Sequence, residues 1–175
     1  GASSSLGKNR LFLALLPVLA LITFASFMPQ TLSSNYLQNQ RALDLTAIGT
    51  LGSLASLSNA FFMLALGSIK PALGLMLGQA LAGGFSLLLY FGTDLIWYQT
   101  GYLLLGGTRL GRSMALAFAR RFIRAEQTGF GFGIIEMLNG GALFLASTVA
   151  GLLYASQPNS IYSIGALLIL LSFLI

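Results

Sequence analysis

The chain has 175 residues, of which 56% are hydrophobic and only 7% charged, whereas a soluble domain carries about a quarter charged residues. The composition is that of a membrane protein. Cysteine and histidine are both absent, which excludes disulfides, thiolate or imidazole metal sites and haem held by His or Cys. No metal and no cofactor are expected, and the net charge of +5 raises the question of whether it marks a nucleic-acid partner or something else.

The expected fold is all-α: an integral membrane bundle of six transmembrane helices behind a cytoplasmic N-terminal segment at 1–10. A bilayer span needs roughly 20 apolar residues, and six such runs follow one another at 11–29, 45–67, 72–91, 95–118, 128–154 and 159–175. A basic start before an apolar run is also the pattern of a signal peptide, but this run is long and five others follow it. The first helix is expected to continue through "QTLSSNYLQNQ" to about residue 38, kinked at Pro29. No alternation of period two runs far enough for a barrel. Connections as short as 68–71 and 155–158 make successive segments antiparallel neighbours.

Charge placement then sets orientation. With the first segment starting inside, Lys8, Arg10, Lys70, Arg120, Arg121 and Arg124 fall in inside connections and only Arg41 in an outside one. This asymmetry is the positive-inside pattern and puts both termini in the cytoplasm, in what is expected to be a bacterial cytoplasmic (inner) membrane. The "ARRFIR" loop adds attraction to anionic lipid. The lipid bilayer therefore explains the +5 charge, and no nucleic acid is needed.

The second segment carries a polar stripe of Gly52, Ser56, Asn59 and Met63. On the fourth, Tyr98, Tyr102, Gly106, Arg109, Arg112 and Ser113 share a broad face, and on the fifth Gly133, Glu136, Asn139, Gly140 and Ser147 share another. Counted from the cytoplasmic boundary, Arg112 and Glu136 each lie about 12 Å deep and Arg109 about 16 Å, so adjacent antiparallel helices can gather the three charges into one cluster. Insertion of an Arg or Asp at a helix centre costs about 2.5 to 3.5 kcal/mol, so such residues face a bundle interior or a wet cavity. Two readings stand side by side: an Arg112–Glu136 ion pair that only sets helix register, or a cluster that binds a substrate or shuttles a proton. Glycines four apart, Gly74 with Gly78 and Gly107 with Gly111, read as packing seams. No paired acids, phosphate loop or nucleophile with a base is present, and the chain is read as not an enzyme.

In order and spacing, "SSNYLQNQRALDLTAIGTLGSLASLSNAFFMLALG" at 33–67 and "GYLLLGGTRLGRSMALAFARRFIRAEQTGFGFGIIEMLNGGALFLASTVAGLLY" at 101–154 resemble the C-terminal six-helix half of a major facilitator superfamily transporter. The resemblance covers about residues 9 to 175. It departs from the family at "GSIKPALGL", which keeps Gly67 and Gly74 but has Pro71 and Ala72 where the gating loop carries Asp and Arg. The proline midway in the eleventh helix is also missing, Ser147 and Thr148 standing near that point. The resemblance implies that the first, second, fourth and fifth segments face a central cavity shared with a second six-helix bundle, either the rest of a longer chain, a second copy or a separate subunit. It also implies that a small-molecule solute binds near the midplane and moves by alternating access. Arg109, Arg112, Glu136, Asn139, Asn59 and Tyr102 are then the expected substrate-binding residues. The arginines would attract an anionic group or set the charge of Glu136, Glu136 would respond to protons, and the other three would supply polar contacts. The rival expectation is a non-transporting subunit or assembly factor of a larger membrane complex that keeps the scaffold without the gate.

Overall fold

The computed structural model describes residues 9–174, and Lys8 with the rest of the expected N-terminal segment before Asn9 lies outside them. The described residues form helices and turns, with no strand among them. In chain order the helices are α1 (Arg10–Thr31), α2 (Ser33–Arg41), α3 (Leu45–Leu66), α4 (Pro71–Phe91), α5 (Leu95–Ala119), α6 (Thr128–Ser156) and α7 (Ser160–Ser172), with two 3-10 turns, Arg120–Phe122 and Ala125–Gln127, in the loop before α6.

Local chemistry accounts for the helix ends. The Asn9 side chain accepts from Phe12 N at 3.2 Å and caps α1, and Asp44 does the same for Ala47 N at 2.9 Å on α3, each satisfying one of the orphan donors of a first turn. Pro71 opens α4, where its missing N–H costs nothing. Ala42 ends α2 with φ 55, a left-handed conformation that costs a Cβ-bearing residue about 1 kcal/mol.

The helical run continues through Pro29. Pro17 and Pro29 both sit inside α1, and the helical path breaks at Leu32, with φ −113 and ψ 15. There Ser33 Oγ donates to Gln30 O at 2.9 Å, and Tyr36 N restarts the ladder on Leu32 O at 2.8 Å. The break thus falls three residues beyond the proline, where the Ser33 hydroxyl satisfies the Gln30 carbonyl.

Two groups of helices build the bundle. In one, α5 packs on both α4 and α3; in the other, α1 packs on α6 and α7, while α4 against α7 joins the groups. Glycines set the close crossings. A Cβ on Gly78 would stand 2.5 Å from Gly111 Cα, so α4 and α5 touch backbone to backbone there. A Cβ on Gly106 would collide with Ala55 O and with Asn59 N of α3. Where Gly165 faces the Pro29 ring, α7 nestles on α1. The seams expected at Gly74, Gly78, Gly107 and Gly111 all lie against neighbouring helices.

Apolar cores occupy both ends. Tyr36, Leu37, Phe85, Tyr98, Tyr102 and Tyr162 cluster at the end that carries α2. Phe12, Leu19, Ala119, Ile123 and Ile135 cluster at the end that carries the basic loop, where Asn9 Nδ2 also donates to Phe122 O at 2.8 Å.

Among the described residues, four helical stretches rather than the expected six are long and apolar enough to cross a membrane: Arg10–Arg41, Leu45–Leu66, Pro71–Phe91 and Ala125–Ser156. At 25 residues α5 is long enough, but Arg109 and Arg112 interrupt its apolar run. With 13 residues, α7 extends about 20 Å, short of a hydrocarbon core about 30 Å thick.

Candidate functional site

Between α1, α4, α5 and α6 lies a cavity of about 370 Å³, within the range of small-molecule sites. Its polar wall is made by Thr23, Gln79, Thr108, Arg109, Arg112 and Asn139, and apolar side chains such as Ile22, Phe27 and Leu143 complete it. The glycines of the α4–α5 crossing, Gly78 and Gly111, form part of its floor. Close approach of these two helices is therefore what brings Gln79 and Arg112 to one space.

Arg112 and Glu136 meet. Arg112 Nη2 donates to Glu136 Oε2 at 2.6 Å, the only ion pair among the described residues, and it has the short length of a charge-assisted bond. The side chains remain 54% and 43% exposed, so the pair stands on an open face of the bundle and is not sealed in its interior. It spans α5 and α6, two helices that make little direct backbone contact. Arg109 lines the same cavity and has no carboxylate partner among the described residues.

Asn139 is buried and its Oδ1 accepts from Thr23 Oγ1 at 2.9 Å, tying α6 to α1. Gln79 is buried as well, and its amide is held by the Ser172 hydroxyl at 2.9 Å. A polar group that would be expensive to bury alone is thereby satisfied or left facing the cavity.

Of the expected residues only Arg109, Arg112 and Asn139 line the cavity; Glu136 is joined to it through Arg112, and Tyr102 and Asn59 lie elsewhere. Tyr102 belongs to the buried aromatic core, its ring edge-on to Phe85 at 5.7 Å and its hydroxyl 3.0 Å from Ser33 Oγ. Asn59 sits at the α3–α5 crossing beside Gly106, and its Oδ1 is buried without a hydrogen-bond partner among the described residues. Neither lines the cavity. Helical spacing places Tyr102 and Arg109 on one broad face, but that face is covered unequally: Phe85 and Ser33 pack over it at Tyr102, whereas at Arg109 it borders the cavity.

Thr23 and Gln79 were not singled out by sequence reasoning. The signal was present for Gln79: a lone amide in the apolar run 72–91 carries the same desolvation cost that drew attention to the arginines.

The fold and site define an all-helical protein with several membrane-length apolar helices around a charged, partly open cavity. Compared with family models, with curated proteins and with solved structures, the chain matches none.

Proposed function

We propose that this chain is one half of a membrane transporter that, with a second six-helix bundle, moves a small organic solute by alternating access. The observation that carries the reading is the cavity in which Arg109, Arg112 and Asn139 meet within a bundle of otherwise apolar helices. In such surroundings charged side chains are costly unless they serve a cavity or a partner. The open face that bears Arg112 and Glu136 is the face a second bundle would cover, closing the cavity between the two. In this reading α1, α5 and α6 flank the pathway together with α4, which lines the cavity where α3 was expected, both termini face the cytoplasm of a bacterial cell, and Glu136 is the proton-responsive carboxylate released from Arg112 as the halves rock. The resemblance of 33–67 and 101–154 to the C-terminal half of major facilitator transporters supports the same reading.

One observation favours the rival, a non-transporting subunit of a larger complex: "GSIKPALGL" at 67–75 has Pro71 and Ala72 where a gating loop carries Asp and Arg. Native mass spectrometry of the purified particle, followed by flux in proteoliposomes, separates the two. A second six-helix bundle together with pH-gradient-driven flux that Glu136→Gln abolishes supports the transporter. Flux that keeps its pH dependence in Glu136→Gln rejects the role of that carboxylate. A particle of unrelated subunits without flux rejects transport.

A further inference from the structure

Resting on the transporter reading, the charge and hydrogen-bond balance of the cavity leads us to propose its substrate class: a small organic monoanion, a carboxylate on an apolar body, held by Arg109 and Asn139. Two charged residues line the cavity, Arg109 and Arg112, and Glu136, outside the lining, neutralises the second of them. Arg112 is committed to Glu136 at 2.6 Å, whereas Arg109 lines the cavity without an acidic partner among the described residues. The wall therefore carries one uncompensated positive charge, which a single carboxylate neutralises and a second would overshoot.

The neutral polar groups point the same way. Thr23 Oγ1 donates to Asn139 Oδ1, so the two N–H groups of the Asn139 amide are left as donors in a residue that is 5% exposed and lines the cavity. A planar guanidinium and an amide donor on the wall of one cavity suit the paired oxygens of a carboxylate. Gln30 also reaches the cavity, with its Nε2 bound to Ser26 O at 2.6 Å. It adds a neutral acceptor that does not alter the charge balance. Ser26, Gln79 and Thr108 add further neutral polar groups to the wall, while Leu19, Ile22, Phe27, Leu75, Ile135 and Leu143 form its apolar part and fit a hydrocarbon body, whose burial supplies affinity in proportion to area. Glu136 acquires a second role, that of limiting the charge of the solute by keeping Arg112 occupied.

The test uses the protein purified from membranes with whatever partner it retains, in nanodiscs for binding and in proteoliposomes for uptake. The four probes share one ring: benzoate, phthalate, benzamide and benzylamine. Benzoate is expected to bind at least about tenfold more tightly than the other three, the scale of one charge-assisted hydrogen bond. Arg109→Gln removes that preference and Arg109→Lys keeps part of it. Glu136→Gln, which frees Arg112, shifts the preference toward phthalate, an effect that a merely structural ion pair would not produce. Benzamide or benzylamine binding as well as benzoate, or benzoate binding unchanged in Arg109→Gln, overturns the substrate class. If Arg109→Gln fails to fold, the ranking of the four probes on the unaltered protein still decides. Uptake that is indifferent to probe charge overturns the monoanion proposal and leaves transport standing. Benzoate binding without uptake of any probe upholds the site and overturns transport.

Discussion

Arg112 and Glu136 are joined by a 2.6 Å bond across two helices that otherwise make little backbone contact, with about half of each side chain still exposed. Its worth thus depends on what lies over it. In the isolated bundle the pair is open to its surroundings, and exposed ion pairs in water contribute about 0.2–1 kcal/mol. Once covered by a second bundle it is desolvated, and removing one partner leaves a buried charge, at a cost of about 3–5 kcal/mol. A double-mutant cycle of Arg112→Gln and Glu136→Gln, followed by thermal unfolding, should give a coupling below about 1 kcal/mol in the isolated bundle and a larger one in the complete assembly. Equal small couplings in both would show that the pair stays wet.

Glycines in this chain serve two distinct purposes, and substitution should separate them. A Cβ at Gly78 meets the Gly111 backbone at 2.5 Å, whereas one at Gly140 meets nothing within 4 Å. Gly78→Ala should force α4 and α5 apart and destabilise by about 1–3 kcal/mol, as overpacking does. Gly140→Ala should be neutral or raise stability by up to about 1 kcal/mol, because alanine loses less backbone freedom in a helix. Unfolding of the two variants side by side checks the contrast. If Gly140→Ala instead weakens the complete assembly, its open face is where a partner helix lies.

Attachment of α3 gives a third expectation. This helix packs chiefly on α5, at the Gly106 crossing and through Ser58 Oγ donating to Leu103 O at 2.5 Å. Gly106→Leu should detach it while leaving the α1–α6 and α1–α7 contacts in place. Amide exchange should then rise along Leu45–Leu66 and stay protected in α1 and α6. Uniform loss of protection would show instead that the bundle unfolds as one unit.

Much of this architecture is legible in the sequence because apolar run length and glycine spacing are local properties. The run 72–91 is found as Pro71–Phe91 and the run 95–118 as Leu95–Ala119. The site is only partly legible. Proximity of Arg112 and Glu136 follows from equal depth on antiparallel helices, since depth is counted along the chain. What escaped is everything that depends on how much of a helix face its neighbours cover. Tyr102 and Arg109 lie two turns apart on α5, yet the first is packed by Phe85 and Ser33 and the second opens to the cavity. Thr23 belongs to an i, i+3, i+7 set with Ser26 and Gln30 that lines the cavity and that helical periodicity could have shown, whereas Gln79 is a lone amide that enters the site through one crossing, which no periodicity within its helix reveals.

Two tyrosines in the aromatic core make the last contrast. Tyr36 and Tyr162 are both fully buried and meet edge to face at 4.8 Å, but their hydroxyls differ. Tyr36 OH donates to Asn159 Oδ1 at 2.5 Å, fastening α2 to the residue that precedes α7, whereas Tyr162 OH has no hydrogen-bond partner among the described residues. A phenylalanine keeps the ring and removes only the hydroxyl. Tyr36→Phe should therefore cost about 1 kcal/mol and more if the Asn159 amide is left unsatisfied. Tyr162→Phe should be neutral or stabilising, because the deleted group contributes only its desolvation penalty. Unfolding midpoints for the two variants test this directly. A Tyr162→Phe variant as damaged as Tyr36→Phe would mean that the Tyr162 hydroxyl is satisfied after all, by a buried water.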